Sequence, residues 1–220
     1  FYLEDSNKNL IKENDVHSNL HGVIMAHSSD NDFGNNKIHD NRFGFSLEFS
    51  DGVFISNNDV YNNSDDGAQL KSCERCKVWE NYISENGGDG IQVSGSENIE
   101  ISRNLIENSS KYGIQMLDHT TQSLFMNNFV LHNGGGIYIY EGEKNGIISN
   151  ILEDNQNFDA RDYGQTNMWF SNFYSDYLGG NTSENGIGTE PYVIQGRRGA
   201  VTFDFHPVAL RALLVGGGPD

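Results

Sequence analysis

Apolar and polar positions of this chain repeat with a period of 22 to 24 residues. Seven copies of the pattern Asn-x-(Val, Ile or Leu) follow one another in steps of 22, 22, 23, 23, 24 and 22 residues. The first residues of these copies are Asn14, Asn36, Asn58, Asn81, Asn104, Asn128 and Asn150. A period this short leaves no room for two packed helices, so each copy is predicted to be one turn of a solenoid.

Within each copy, apolar and polar residues alternate after a glycine that recurs in phase with the asparagine. Gly90, for example, is followed by Ile91 and Val93 on one face and by Gln92 on the other. Alternation with period two predicts strands, and the stretches rich in Asn, Gly and Ser predict turns. The chain thus resembles an all-β fold, the single-stranded right-handed parallel β-helix, with about seven coils whose strands stack at ~4.8 Å.

The pattern also predicts how the chain is divided. Residues 1–160 are interpreted as the parallel β-helix repeats, and their N-terminal cap is expected outside this chain, as in a piece of a larger chain or assembly. Residues 161–210 are rich in aromatic side chains and are predicted to be a C-terminal aromatic cap. Residues 211–220 fit no repeat and are predicted to be a disordered tail.

The composition narrows the range of partners. The 31 acidic and 14 basic residues give a formal charge of −17, which is the wrong sign for binding phosphate backbones and argues against nucleic acid. No apolar stretch is long enough to predict a transmembrane segment.

The two cysteines, Cys73 and Cys76, form a CxxC pattern. A zinc site needs four ligands, and the chain has no second cysteine pair. In the register of the repeat, Cys76 is predicted to face the core and Cys73 to lie on a surface turn. The pair is interpreted as one buried and one surface thiol, or as a local disulfide.

Outward positions of the strand after each glycine form a polar strip with aromatic ends. Its predicted carbohydrate-binding residues are Gln69, Gln92, Gln115, Tyr138, Tyr140 and Glu48. Amides and carboxylates bind sugar hydroxyls, and aromatic faces bind the C–H faces of sugar rings. The strip runs across several coils, as a polymer would, so it predicts a polysaccharide or surface glycan as partner. A ladder of Gln side chains bonded only to one another is the alternative.

Three residues near this strip are candidates for catalysis. Asp66 and Asp89 occupy equivalent positions one coil apart, and paired carboxylates suit a retaining glycosidase. Lys71 could act on a uronic acid in a lyase or a C5-epimerase. Solvated turn aspartates explain the same pattern without catalysis.

Two histidines are candidates for a metal site. His17 and His39 share a register on adjacent coils and are predicted to stack, which would place their imidazoles together. Copper needs His or Met ligands that converge from two or three positions, and a histidine pair without metal is the alternative.

The segment after the repeats resembles a known family. Residues 167–169, 171–177, 185–194 and 204–207 are similar to the closing segment of NosD-like β-helix proteins, the periplasmic copper-binding family. The resemblance implies an extracytoplasmic location, secreted, periplasmic or at the cell surface, and a capping role for this segment. The chain departs from the family at Tyr174, where Trp is usual, and at Asn185 and Thr189, which replace acidic residues and weaken a calcium site.

Together these observations predict an extracytoplasmic β-helix module that binds or processes polysaccharide along its outward strand face. A polyuronate lyase, C5-epimerase or glycosidase is one alternative. A NosD-like accessory of copper delivery, or a structural surface protein, is another. The sequence requires no cofactor, leaves copper and calcium open, and leaves open whether the chain is an enzyme.

Overall fold

The computed structural model describes residues 1–179 and 186–209, and these form a parallel β-solenoid. Its first strands are β1 (Tyr2–Glu4), β2 (Leu10–Lys12), β3 (Asp15–His17), β4 (His21–Ala26), β5 (Asp32–Gly34), β6 (Lys37–His39), β7 (Phe43–Glu48), β8 (Phe54–Ser56), β9 (Asp59–Tyr61), β10 (Ala68–Lys71), β11 (Lys77–Trp79), β12 (Tyr82–Ser84), β13 (Ile91–Ser94) and β14 (Glu100–Ser102). The strands that follow are β15 (Leu105–Glu107), β16 (Tyr112–Leu117), β17 (Thr120–Thr121), β18 (Leu124–Met126), β19 (Phe129–Leu131), β20 (Gly135–Ile139), β21 (Gly142–Glu143), β22 (Gly146–Ile148), β23 (Ile151–Glu153), β24 (Ala160–Asp162), β25 (Met168–Phe170), β26 (Phe173–Tyr174), β27 (Tyr192–Gln195) and β28 (Val201–Asp204). One short 3₁₀ turn, Arg197–Gly199, is the helical element of the described residues.

The strands stack in three parallel columns. The first column contains β1, β4, β7, β10, β13, β16, β20 and β24. The second contains β2, β5, β8, β11, β14, β18, β22 and β25. The third is an eight-stranded sheet of β3, β6, β9, β12, β15, β19, β23 and β26. A coil takes one strand from each column, as a parallel β-helix requires.

The described part has eight coils, one more than the asparagine copies indicate. The eighth coil consists of β24, β25 and β26, so the strand ladders run about one coil past the boundary predicted at residue 160. Asn172 continues the asparagine register, since the backbone N–H of Asn150 donates to its Oδ1 at 2.9 Å. The pattern misses this copy because Tyr174 stands where the other coils have an aliphatic residue.

The core is a column of stacked apolar side chains along the solenoid axis. In β7, Phe45 and Leu47 are fully buried while Ser46 between them is not, which is the alternation that the sequence predicts. Each such buried side chain contributes roughly 1.5–3 kcal/mol.

Asparagine side chains bond from coil to coil at the corner between the second and third columns. At Asn104, Oδ1 accepts hydrogen bonds from the backbone N–H and the Nδ2 amide of Asn81 at 2.9 and 3.0 Å. Its own Nδ2 donates to Asn128 Oδ1 at 3.0 Å and to the carbonyl of Val78 at 2.9 Å. One buried side chain therefore satisfies the turns of two neighbouring coils.

Each asparagine ladder ends on an aspartate. Asp204 Oδ2 accepts from the backbone N–H and the Nδ2 of Asn172 at 2.9 and 3.0 Å. A second ladder ends where Asn155 Nδ2 donates to Asp159 at 2.8 Å, and a third where Asn167 Nδ2 donates to Asp162 at 3.1 Å. A carboxylate only accepts hydrogen bonds, so it satisfies the last amide without requiring a further coil.

The last described strands close the solenoid. β27 and β28 pair antiparallel with each other, and they also extend the first and second columns past β24 and β25. The predicted capping segment thus contains one regular coil followed by this hairpin. The predicted disordered tail lies outside the described residues, and so does Asn185.

Both cysteines are buried as free thiols, at 2% and 1% exposure for Cys73 and Cys76. The prediction of a surface position for Cys73 is wrong. Its register is that of Ser50 and Ser96, which form a buried corner, and its backbone N–H donates to Ser96 Oγ at 3.0 Å.

Candidate functional site

The predicted polar strip lies on the first column, and its register is as the sequence indicates. Gln69 pairs with Gln92, Gln92 with Gln115, and Gln115 with Tyr138, each one coil apart. All four side chains are half-buried and belong to the outward positions of their strands. They form a continuous line along the solenoid axis.

A groove of about 280 Å³ follows the first part of this line. Its lining, which we call the strand-face groove, consists of Glu48, Gln69, Leu70, Lys71, Gln92, Ser94, Leu117 and Asp118. Lys71 Nζ lies 3.4 Å from Glu48 Oε1, and Ser94 Oγ donates to Asp118 Oδ2 at 2.6 Å. Ser94 and Asp118 were not among the predicted site residues, although Ser94 shares the register of Lys71 and Asp118 directly follows Leu117, the next residue in that register.

Carboxylates behind the strip fix the direction of two of its amides. Gln69 Nε2 donates to Asp66 Oδ2 at 2.7 Å, and Gln92 Nε2 donates to Asp89 Oδ2 at 3.1 Å. Because an ionised carboxylate only accepts, the NH₂ of each amide turns toward it and the Oε1 is left for other partners. Gln92 Nε2 also reaches Gln115 Oε1 at 3.3 Å, which links two coils.

Asp66 and Asp89 themselves are buried, at 1% and 0% exposure, so they are not part of the outward strip and the alternative of solvated turn aspartates is wrong. At the bend before the next strand each carboxylate turns inward and accepts a backbone N–H of the following coil. Asp89 N–H donates to Asp66 at 2.6 Å, and Tyr112 N–H donates to Asp89 at 3.0 Å. Lys71 pairs with Glu48 instead of with either aspartate, so the three catalytic candidates do not converge, and their catalytic role stays an untested prediction.

Burial changes the protonation of these two carboxyls. It raises the pKa of Asp66, and it raises the pKa of Asp89 to about 6, with the neighbouring Asp66 charge as the second cause. A folded pKa above the ordinary value of 3.8 means that the carboxyl stabilises the fold below pH 3.8 and loses that contribution as the pH rises through about 6.

Asp89→Asn is therefore expected to flatten the pH dependence of stability. The amide oxygen can still accept from Tyr112, but no buried charge forms. Across the window from pH 3.8 to about 6, the unfolding free energy of the wild type should fall relative to that of the variant, by on the order of 2 kcal/mol. Urea unfolding at a series of pH values measures this. Asp65→Asn, at a partly exposed neighbour, is the control and should follow the wild type; identical profiles for Asp89→Asn and wild type would refute the assignment.

Aromatic side chains gather at the C-terminal end of the strip. The ring of Tyr138 lies 4.8 Å from Tyr112, 5.6 Å from Tyr163 and 6.3 Å from Tyr140, measured between centroids. Arg161 is the next residue in the register of Tyr138. Tyr112, Tyr163 and Arg161 were not among the residues predicted from the sequence, although Arg161 follows Tyr138 at the 23-residue step that separates the Gln residues.

The histidine pair stacks as predicted, but its geometry does not suit a metal. The rings of His17 and His39 lie 5.2 Å apart. Both nitrogens of His39 already face carboxylates, Nδ1 at 2.7 Å from Asp40 and Nε2 at 2.8 Å from Asp15, and the Asp40 hydrogen bond raises the pKa of this histidine. Across residues 1–179 and 186–209, no three His, Cys, Asp or Glu side chains are arranged to hold a metal ion. The part of the chain that the structure describes therefore offers no histidine or carboxylate cluster for copper or calcium.

The comparison with protein families agrees with the parallel β-helix fold described above. A family model described as a right-handed β-helix region matches residues 1–130. The chain belongs to the right-handed β-helix family. No curated protein sequence matches this β-helix significantly.

Solved structures with the same fold include proteins that act on or bind sugars. The Azotobacter vinelandii mannuronan C-5 epimerase AlgE6 A-module has a TM-score of 0.66 at 16% identity, over 76% of this chain and 53% of that one. The periplasmic alginate epimerase AlgG has a TM-score of 0.55 at 18% identity, over 76% and 42%. XylC in complex with xylose has a TM-score of 0.57 at 13% identity, over 70% and 35%. At these identities the likeness shows the fold alone, and the β-helix spans only part of each of those chains.

Proposed function

We propose that this β-helix binds a polysaccharide along the strand-face groove, with the chain of sugars lying parallel to the solenoid axis. The observation that carries the proposal is the in-register line of Gln69, Gln92, Gln115 and Tyr138. Successive rungs are ~4.8 Å apart, so the same functional group is offered repeatedly to a ligand that itself repeats.

The chemistry of the groove supports a sugar ligand. Hydrogen bonds to buried Asp66 and Asp89 hold two of the Gln amides in one orientation, which lowers the entropic cost of binding hydroxyl groups. Tyr138 and its neighbouring rings provide aromatic faces at one end. The solved β-helix structures named as alginate epimerases and as a xylose complex add support from proteins of the same fold.

Charge favours a neutral polysaccharide over a polyuronate. Lys71, the basic residue of the groove lining, is paired with Glu48, and Asp118 adds a further acidic group. The formal charge of −17 repels a polyanion in addition. The absence of a convergent set of Asp66, Asp89 and Lys71 favours binding over catalysis in this groove.

The proposal also includes membership of the NosD-like family and an extracytoplasmic location. Two residues of the segment that resembles the NosD-like closing segment have structural roles. Asp204 ends an asparagine ladder, and the Trp169 side chain donates to Asp162 at 2.9 Å. We take residues 161–210 as the capping segment and an extracytoplasmic location as part of this assignment. No helix among the described residues is long and apolar enough to cross a membrane.

Gln92→Ala is expected to weaken oligosaccharide binding about fivefold, the effect of one neutral hydrogen bond. Calorimetric titration with neutral xylo-, gluco- and manno-oligosaccharides, and with oligomannuronate as the acidic arm, measures this. Gln122→Ala is the matched control, because Gln122 is exposed and bonds to Glu97 away from the groove. Wild-type affinity in Gln92→Ala, or no binding to any neutral oligosaccharide, would contradict the proposal.

A further inference from the structure

A stack of aromatic rings on the third column stops at Tyr61. His17, His39 and Tyr61 share one register, and their centroids are 5.2 and 4.7 Å apart with interplanar angles of 17° and 4°. Each ring covers one face of the ring before it. The next residue in the register is Ser84, whose small side chain cannot continue the stack. The second face of the Tyr61 ring is thus available to a ligand.

A pocket of about 330 Å³ occupies this position. We call it the Tyr61 slot, and its lining consists of Asp59, Tyr61, Asn62, Tyr82, Ser84 and Glu85. Tyr82 is 38% exposed, and its hydroxyl donates to Glu107 Oε1 at 2.8 Å, which holds its ring as a side wall. Glu107 follows Ser84 in the register. The space above Ser84 therefore has the ring of Tyr61 on one side and the carboxylate of Glu107 on the other.

The lining favours one chemistry. Asp59 and Glu85 are acidic, Glu107 adds a third carboxylate at the far side, and none of the lining residues is basic. An aromatic face attracts the C–H face of a sugar ring and also a cation, and carboxylates bind ammonium and hydroxyl donors. A ligand that combines a saturated ring with a positive charge uses all of these groups.

We propose that the Tyr61 slot binds a protonated amino-sugar ring, which stacks on Tyr61 and directs its ammonium group to the surrounding carboxylates. The slot lies on the third column, whereas the strand-face groove lies on the first. Binding in the slot is therefore independent of the polysaccharide groove, and variants at Tyr61 and at Gln92 separate the failure of one from the failure of the other.

A second ring stack in the same molecule provides an internal control. His27 and Phe49 stack at 5.2 Å and 4°, and the next residue in that register is Ser72. Phe49 is 53% exposed, so its ring also ends a stack at the surface. The residue before Ser72 is the basic Lys71, and the position that corresponds to Tyr82, two residues before this serine, holds Leu70 instead of an aromatic residue. Phe49→Ala removes a comparable ring without changing the acidic slot.

The test is an NMR titration of the whole chain with glucosamine in slightly acidic buffer, where the amine carries a proton, and with glucose, which has a hydroxyl in its place. Glucosamine should bind at least about threefold more tightly than glucose. Tyr61→Ala should weaken glucosamine binding by at least about threefold, while Tyr61→Phe should retain it. Glu85→Gln should reduce the preference for glucosamine, and Phe49→Ala should bind as the wild type does.

Equal affinity for the two sugars would overturn the proposal, because the carboxylates would then contribute nothing. Wild-type affinity in Tyr61→Ala would also overturn it, as would an equal loss in Phe49→Ala. Retained binding in Tyr61→Phe shows that the ring and not the hydroxyl holds the sugar, and the amide spectrum of Tyr61→Ala, recorded in the same titration, shows whether that variant is folded.

Discussion

Asn104→Ala is expected to lower the free energy of unfolding by about 3–5 kcal/mol. The Asn104 side chain is fully buried and accepts two hydrogen bonds from Asn81. It also donates to Asn128 and to the carbonyl of Val78. Alanine leaves these groups without a partner in a site that water does not reach, and each unsatisfied group costs roughly 1–3 kcal/mol. Urea unfolding followed by circular dichroism measures the loss.

Asn14→Ala is the matched control. Asn14 belongs to the same ladder, but it is half-buried and lies in the first coil, where its amide donates to Asn36 and to Lys12. Water can replace these bonds, so we expect a loss of about 1 kcal/mol or less. Equal losses at both positions would show that burial along the ladder does not determine the contribution of an asparagine.

Asp204→Ala is expected to release the terminal hairpin and to lower the free energy of unfolding by about 3–5 kcal/mol. The carboxylate accepts from the backbone N–H and amide of Asn172, the backbone N–H of Ser171 and of His206, and the hydroxyl of Tyr174. Its loss leaves the asparagine ladder without an end. Relative to the wild type, the variant should show faster hydrogen exchange in β27 and β28 but not in β7. Urea unfolding measures the change in the free energy of unfolding.

Asp154→Ala serves as the control for this variant, because Asp154 is an exposed aspartate of the adjacent coil. Because Asp154 has a left-handed φ of 53°, which alanine adopts less readily than aspartate, its replacement should lower the free energy of unfolding by about 1 kcal/mol and leave the exchange of the hairpin unchanged. Hairpin protection that is unchanged in Asp204→Ala would mean that the aromatic packing of Tyr174 against Tyr192, at 3.6 Å between centroids, holds the cap without the carboxylate.

The fold follows from the sequence because each coil repeats the same physical requirements. An inward aliphatic residue, a corner asparagine and a glycine at the bend recur at nearly constant spacing, so the register could be predicted across the coils. The eighth coil escaped the pattern because Tyr174 fills the aliphatic position. The aspartates that end the ladders carry no periodic signal, since each occurs once. Asp159 and Asp162 accept from asparagines four and five residues away, whereas Asp204 accepts from Asn172, 32 residues earlier in the chain.

The candidate site was predicted in its register but not in all of its orientations. Gln69, Gln92 and Gln115 lie in one outward line, as strand alternation indicates. Alternation does not extend through a bend, and the side chains of Asp66 and Asp89 turn inward there to accept backbone N–H groups. Cys73 was placed at the surface for the same reason, because its corner is a turn in sequence and a buried position in the solenoid.

A crystal structure of the β-helix with the neutral oligosaccharide that binds most tightly decides whether the strand-face groove is the binding site. We expect sugar density along the solenoid axis, across the first column, with hydroxyl groups bonded to Gln69, Gln92 and Gln115 and a ring packed near Tyr138. Oligosaccharide bound on the second or third column with the strand-face groove empty would contradict the proposed function.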